Sequence, residues 1–98
     1  METFQQIING DQPVLVDFHA TWCGPCKAMN PAIQAVGKEV QGSARVLKID
    51  VDRNQQVSAR FDVRAVPTLI IFKNGKPVWR HSGTIDKNAL KQQLLSFV

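Results

Sequence analysis

The stretch Val14-Leu15-Val16-Asp17-Phe18-His19, running on through Ala20 and Thr21 into Trp22-Cys23-Gly24-Pro25-Cys26, decides how the rest of the chain is read. Its first part is β-branched and apolar, the composition of a buried strand, with one anomalous charge at Asp17. The second part is a turn entering a helix, where Met29, Ile33, Val36 and Val40 recur on one face until Gly42-Ser43 ends the pattern. Pro31 falls inside that helix and predicts a kink. Arg45–Val51 alternates around Val46, Leu47 and Ile49 and reads as a second strand. A strand, a helix and a strand joined by a crossover of this length form a right-handed βαβ unit with parallel strands.

The pattern extends outward from this unit in both directions. Upstream, Phe4, Ile7 and Ile8 take the spacing of a short amphipathic helix that ends at Asn9-Gly10, and Gly10–Pro13 is a loop. Downstream, Asp52 or Asn54 is placed to cap a helix over Val57 to Phe61. Thr68–Phe72 is a third strand, and Asn74-Gly75 marks a tight hairpin into a fourth, Pro77–His81, which Gly83 breaks. Trp79 reads as packing and His81 as a surface strand residue. Asp86 caps a last helix carrying Leu90, Leu94 and Phe97. No repeat or linker divides the 98 residues. The expectation is one α/β domain over residues 1–98, with a mixed four-stranded sheet (the βαβ unit plus a β-hairpin) flanked by helices.

Composition narrows the possible functions. With 44% hydrophobic and 20% charged residues, six Gly and five Pro, the chain is neither disordered nor of low complexity. Two cysteines are too few for a disulfide-stapled scaffold. The net charge is +4, but the 12 Lys and Arg are spread along the chain without a basic run or interleaved aromatics, which argues against nucleic-acid binding. The longest apolar run, Leu69–Phe72, is far short of the ~20 residues that span a bilayer, so no membrane segment is expected. The opening residues Met1-Glu2-Thr3-Phe4 are acidic and lack a long apolar core, so the expected location is cytoplasmic.

One motif carries chemistry: Cys23-Gly24-Pro25-Cys26 at the start of the helix in the βαβ unit. Two residues between cysteines at a helix start bring the sulfurs within disulfide range and leave the first outermost. The helix N-terminus offers unpaired N–H groups and partial positive charge, which favour the Cys23 thiolate, the attacking species in disulfide exchange. Pro25 suits the first helical turn, where its missing N–H costs nothing. Zinc would need four ligands, and His19 and His81 are the only histidines, neither at finger spacing. Haem attachment would need a histidine where Lys27 stands. An inert structural disulfide is disfavoured in a reducing compartment.

Trp22-Cys23-Gly24-Pro25-Cys26-Lys27 resembles the active-site motif of the thioredoxin family. Val14–Phe18, Arg64-Ala65-Val66-Pro67-Thr68, Phe72-Lys73-Asn74-Gly75-Lys76 and Gly83 follow the same family pattern in order. The resemblance implies a thioredoxin fold and a thiol–disulfide oxidoreductase that reduces protein disulfides and needs no cofactor beyond its Cys23–Cys26 disulfide. Cys23 would be the nucleophile and Cys26 the more buried, resolving thiol. Asp17 would take the Cys26 proton through water, with Lys48 as its electrostatic partner; a raised pKa in apolar surroundings suits that task. Trp22, Gly24, Pro25, Val66 and Gly83 would form an apolar docking surface, and Pro67 matches the family's cis proline. Gly24 and Pro25 between the cysteines resemble the reducing members rather than oxidases or isomerases. The implied partners are oxidised proteins and a thioredoxin reductase, with a monomeric chain carrying electrons between them. The alternatives are a disulfide isomerase or oxidase, and a binding module that uses the surface without turnover.

Two departures from the family pattern stand out. His19 occupies a position where many members carry Trp, and Thr21 one where an acidic residue is common; an imidazolium there would favour the Cys23 thiolate. Typical members also begin with an extra strand, whereas Met1 to Pro13 has room only for a helix and its loop. Arg45–Val51 is therefore expected at an open sheet edge, protected by the charges of Arg45, Lys48 and Asp50.

Overall fold

The computed structural model describes residues 1–98. The elements are α1 (Phe4–Ile8), β1 (Val14–His19), α2 (Gly24–Glu39), β2 (Arg45–Asp50), α3 (Gln55–Arg60), β3 (Thr68–Lys73), β4 (Lys76–Ser82) and α4 (Lys87–Leu95). Four strands form a single sheet in the order β2-β1-β3-β4. β1 pairs parallel with β2, as the βαβ reading requires, and antiparallel with β3, which pairs antiparallel with β4. β2 lies at an open edge, as expected, and β4 lies at the other.

The two faces of β1 explain the layering. Leu15 points into a core with Met29, Ile33 and Val36 of α2, Leu69 and Ile71 of β3, and Leu90 and Leu94 of α4. Val14, Val16 and Phe18 point the other way, to Ile8 of α1 and to Ile70 and Phe72 of β3. Alternation with a period of two assigns Asp17 and His19 to the Leu15 face, beneath α2. On the opposite face the rings of Phe4, Phe61 and Phe72 meet with centroids 4.9–5.9 Å apart, joining α1 and the end of α3 to the sheet. Each fully buried Leu, Ile or Phe contributes roughly 1.5–3 kcal/mol relative to exposure.

Local signals account for the element ends. Thr3 and Gln6 form a reciprocal capping box at α1, and the Asp86 side chain accepts from the N–H groups of Asn88 and Ala89 at α4. Asn74 and Gly75 take φ values of 53° and 83° in the hairpin, the left-handed pair a two-residue turn demands. β4 carries Pro77 opposite Phe72, where the register shifts, and an edge strand tolerates the missing donor. α2 runs unbroken through Pro31. The cap expected from Asp52 or Asn54 is absent: Asn54 is the N-cap of α3 but makes no side-chain cap bond. Its amide donates instead to the Asp50 carbonyl at 3.0 Å, closing the loop that leaves β2. No helix is long and apolar enough to cross a membrane.

Candidate active site

Cys23 is the N-cap of α2, with Pro25 within the first turn, so the cysteine pair lies where the helix presents its unpaired N–H groups. The two sulfurs are joined in a disulfide across a Cα–Cα distance of 5.3 Å. The Cys26 N–H points at Cys23 Sγ, 3.1 Å away, and would stabilise a thiolate formed there. The expected difference in exposure is almost absent in this closed form, with Cys23 4% and Cys26 3% exposed. With the bond closed, Cys23 Sγ is turned back onto the helix start rather than outward. Both cysteines pack with Ala20 and against the half-buried Val51 and Val66.

Asp17 is 1% exposed, and its Oδ1 has no hydrogen-bond partner. Burial pushes its carboxyl above the ordinary range, while electrostatic interaction with His19 and Lys48 pulls the other way. Lys48 acts on Asp17 through space rather than by contact. The two residues are aligned across the parallel pairing, yet the Lys48 ammonium donates to Asn30 Oδ1 at 2.7 Å and makes no ion pair with Asp17. Lys48 lies on the exposed edge strand, where its ammonium keeps its hydration. Drawing that charge inward to Asp17 would sacrifice hydration for one contact.

The apolar surface divides in two. Trp22, 69% exposed, rims a groove of about 300 Å³ with Val51, Val63, Arg64, Ala65 and Val66. Its indole N–H donates to the Asp52 carboxylate, which orients the ring. Val66–Pro67 is a cis peptide, and the Gly83 N–H donates to the Pro67 carbonyl at 2.8 Å with Gly83 at φ 93°. Pro67 is buried, whereas Gly24 and Pro25 are exposed beside the disulfide. Gly24, Pro25 and Gly83 therefore lie outside the groove wall itself. His19 lines a second cleft, of about 250 Å³, with Ala20, Thr21, Cys26, Lys27, Asn30 and Lys48. Asp52 and Asn30 are the site neighbours that sequence reasoning missed as such. Asp52 had one available signal, its place in the loop that leaves the carboxyl end of a parallel strand.

A disulfide closed over a helix start can be opened by an incoming thiolate and re-formed by its own two thiols. That chemistry is exchange with another disulfide or dithiol, and the protein is a thiol–disulfide oxidoreductase. Comparison with known proteins leads to the same place. A family model described as Thioredoxin matches residues 1–96, and the chain belongs to the thioredoxin family. It is 42% identical over 94 residues to thioredoxin of Porphyra purpurea, covering 96% of this chain and 88% of that protein. It is 43% identical over 95 residues to the chloroplastic thioredoxin Y of Oryza sativa subsp. japonica, covering 96% of this chain and 56% of that protein. Among solved structures, a mutant thioredoxin from Halobacterium salinarum superposes with a TM-score of 0.85 at 39% identity, over 95% of this chain and 80% of that one.

Proposed function

We propose that this chain is a single thioredoxin domain that reduces disulfides of other proteins, with Cys23 as nucleophile and Cys26 as resolving thiol. The observation that carries the reading is the pairing of Cys23 Sγ with the Cys26 N–H at the start of α2. In the reduced protein the Cys23 thiolate attacks one sulfur of a substrate disulfide. A Cys23–substrate S–S bond forms, and the substrate's other sulfur leaves with the electron pair and takes up a proton. Cys26 then gives its proton to Asp17 and attacks Cys23 Sγ. The Cys23–Cys26 bond forms, the mixed disulfide breaks, and the second substrate sulfur leaves as a thiolate. The raised pKa of Asp17 brings its proton affinity closer to that of a thiol, which favours this transfer.

In this reading the substrate is an extended, oxidised protein segment. It lies in the groove of Trp22 and Val66 and reaches backbone groups around Pro67 and Gly83. Gly24 and Pro25 keep the approach to Cys23 open, and Lys48 tunes Asp17 through space. The chain works as a monomeric electron carrier recharged by a thioredoxin reductase. Its proposed compartment is the cytoplasm, where a reducing poise keeps such a pair open.

The test is the Cys26→Ser variant incubated with cell extract. Substrates accumulate as mixed disulfides on Cys23 and are released by dithiothreitol, whereas Cys23→Ser captures none. Equal capture by both variants, or by neither, overturns the assignment. The reduction potential sets the direction, since about 30 mV is a tenfold change for this two-electron couple. A value well below the glutathione pool supports the reductase, and one near or above it supports an isomerase or oxidase.

A further inference from the structure

We propose that His19 is the proton relay between solvent and the buried Asp17 carboxyl, so that the proton released by Cys26 leaves through the cleft His19 lines. This rests on the reading of Asp17 as the group that takes the Cys26 proton. Asp17 is 1% exposed, so a proton placed on it in each turnover needs a way out. Its nearest titratable neighbour along the strand is His19, two positions on and on the same face of β1. The two residues rise about 6.6 Å apart, a span that an imidazole and a carboxyl cover directly or through one water molecule. His19 is half-buried, with one side toward the strand and the other on the cleft that it shares with Cys26.

Of the other titratable groups facing this region, Asp50 of β2 is the pairing partner of His19 and its carboxylate accepts from the Asp52 N–H, and the cationic groups do not serve. Lys48 of β2 is held by Asn30, and a lysine ordinarily keeps its proton at neutral pH. Lys27 of α2 is exposed on the outer side of the cleft. His81 of β4 stands beyond Leu69 from Asp17, with its Nε2 3.0 Å from the Thr84 carbonyl. Imidazole is the side chain that exchanges protons near neutrality. The balance closes without any further reactant. Cys26 Sγ–H protonates the Asp17 carboxylate, Asp17 passes a proton to the neutral His19 ring, and the imidazolium releases one to water. No electrons move in the relay.

The experiment measures the resolution step and the Asp17 titration separately, in wild type, His19→Gln, His19→Ala and Asp17→Asn. Single-turnover release of a preformed mixed disulfide gives the first, and carboxyl 13C NMR of Asp17 in the reduced protein gives the second. In His19→Gln, resolution at pH 7 falls by roughly 10²-fold, the low end of what a positioned acid–base group contributes. The titration of the Asp17 carboxyl signal moves up from that of wild type, because the electrostatic pull of His19 is gone. The loss falls more heavily on resolution than on the attack of Cys23 on a substrate disulfide. Imidazole added to the buffer restores resolution in His19→Ala, which a packing role for the ring would not allow. A His19→Gln variant with wild-type resolution and an unchanged Asp17 titration overturns the relay. If Asp17→Asn is slow in that case, the role of Asp17 stands alone; if Asp17→Asn is also fast, both readings fall.

Discussion

The indole N–H of Trp22 donates to the Asp52 carboxylate across 2.9 Å, tying the turn before the cysteines to the loop after β2. Those loops come from the two parallel strands β1 and β2, so the bond spans the carboxyl end of the βαβ unit. It fixes a largely exposed ring at the rim of the groove.

Asp52→Ala therefore releases the Trp22 ring without disturbing the cysteines. Stability changes by about 1 kcal/mol or less, because the bond lies at the surface. Reduction of a protein disulfide slows several-fold through KM, whereas reduction of a small aromatic disulfide keeps its rate. Trp22 fluorescence anisotropy falls in the variant. Equal losses on both substrates would mean that Asp52 acts on the cysteines rather than on docking.

Asp17 makes stability depend on pH in a defined direction. Its folded-state pKa is raised above the ordinary 3.8 by burial. The stabilisation linked to its proton is complete below that ordinary value and is lost as pH rises through the folded-state value. Asp17→Asn removes the buried charge, so the variant is more stable than wild type at pH 8, by about 1–3 kcal/mol. The gap closes toward pH 4. Urea unfolding at both pH values checks this, and a gap that widened toward acid would reverse the sign.

Much of this arrangement was legible in the sequence. The run Val14–Phe18, the face of Met29, Ile33, Val36 and Val40, and the Asn74-Gly75 turn each carry a local signal strong enough to name an element. Those elements leave few ways to arrange the sheet. Side-chain partners were less legible. Lys48 was correctly placed beside Asp17 by strand pairing, but hydration of its ammonium and the reach of Asn30 decided its contact. Asp52 was read as a helix cap, whereas the proximity of Trp22 gives it a tertiary bond. His19 was read from its place where the family carries Trp, and the structure adds that it shares a cleft with Cys26.

Glu39 joins the ends of two helices that pack on the same core. It accepts from Lys87 at 2.7 Å and from Lys91 at 2.9 Å, linking the last turn of α2 to α4. These hydrogen bonds hold its carboxyl down at about 2. The contribution is present above the ordinary value of 4.5 and is lost as pH falls toward 2. Glu39→Gln accordingly melts lower than wild type at pH 7, by a margin that shrinks in high salt. The two melting curves converge near pH 2. A difference that persisted there would point to packing rather than charge.

Gly75 and Gly42 separate two costs that are usually confounded. Both have positive φ, 83° and 92°, so a side chain at either is strained by the backbone alone, at roughly 1–2 kcal/mol. At Gly42 an added Cβ meets open space, whereas at Gly75 it runs into the side-chain oxygen of Asn9. The Gly75 N–H also donates to the Ile8 carbonyl at 2.8 Å, which pins the hairpin to the end of α1 and leaves it little freedom to retreat. Gly75→Ala therefore costs more than Gly42→Ala by what it takes to swing the Asn9 side chain aside and break its exposed bond to Gln5, about 0.5–1 kcal/mol in chemical denaturation. Replacing Asn9 by Gly in the Gly75→Ala background recovers that excess and leaves the backbone cost. Equal losses at the two glycines would show that the Asn9 side chain turns aside freely, and its contact would then carry no energy.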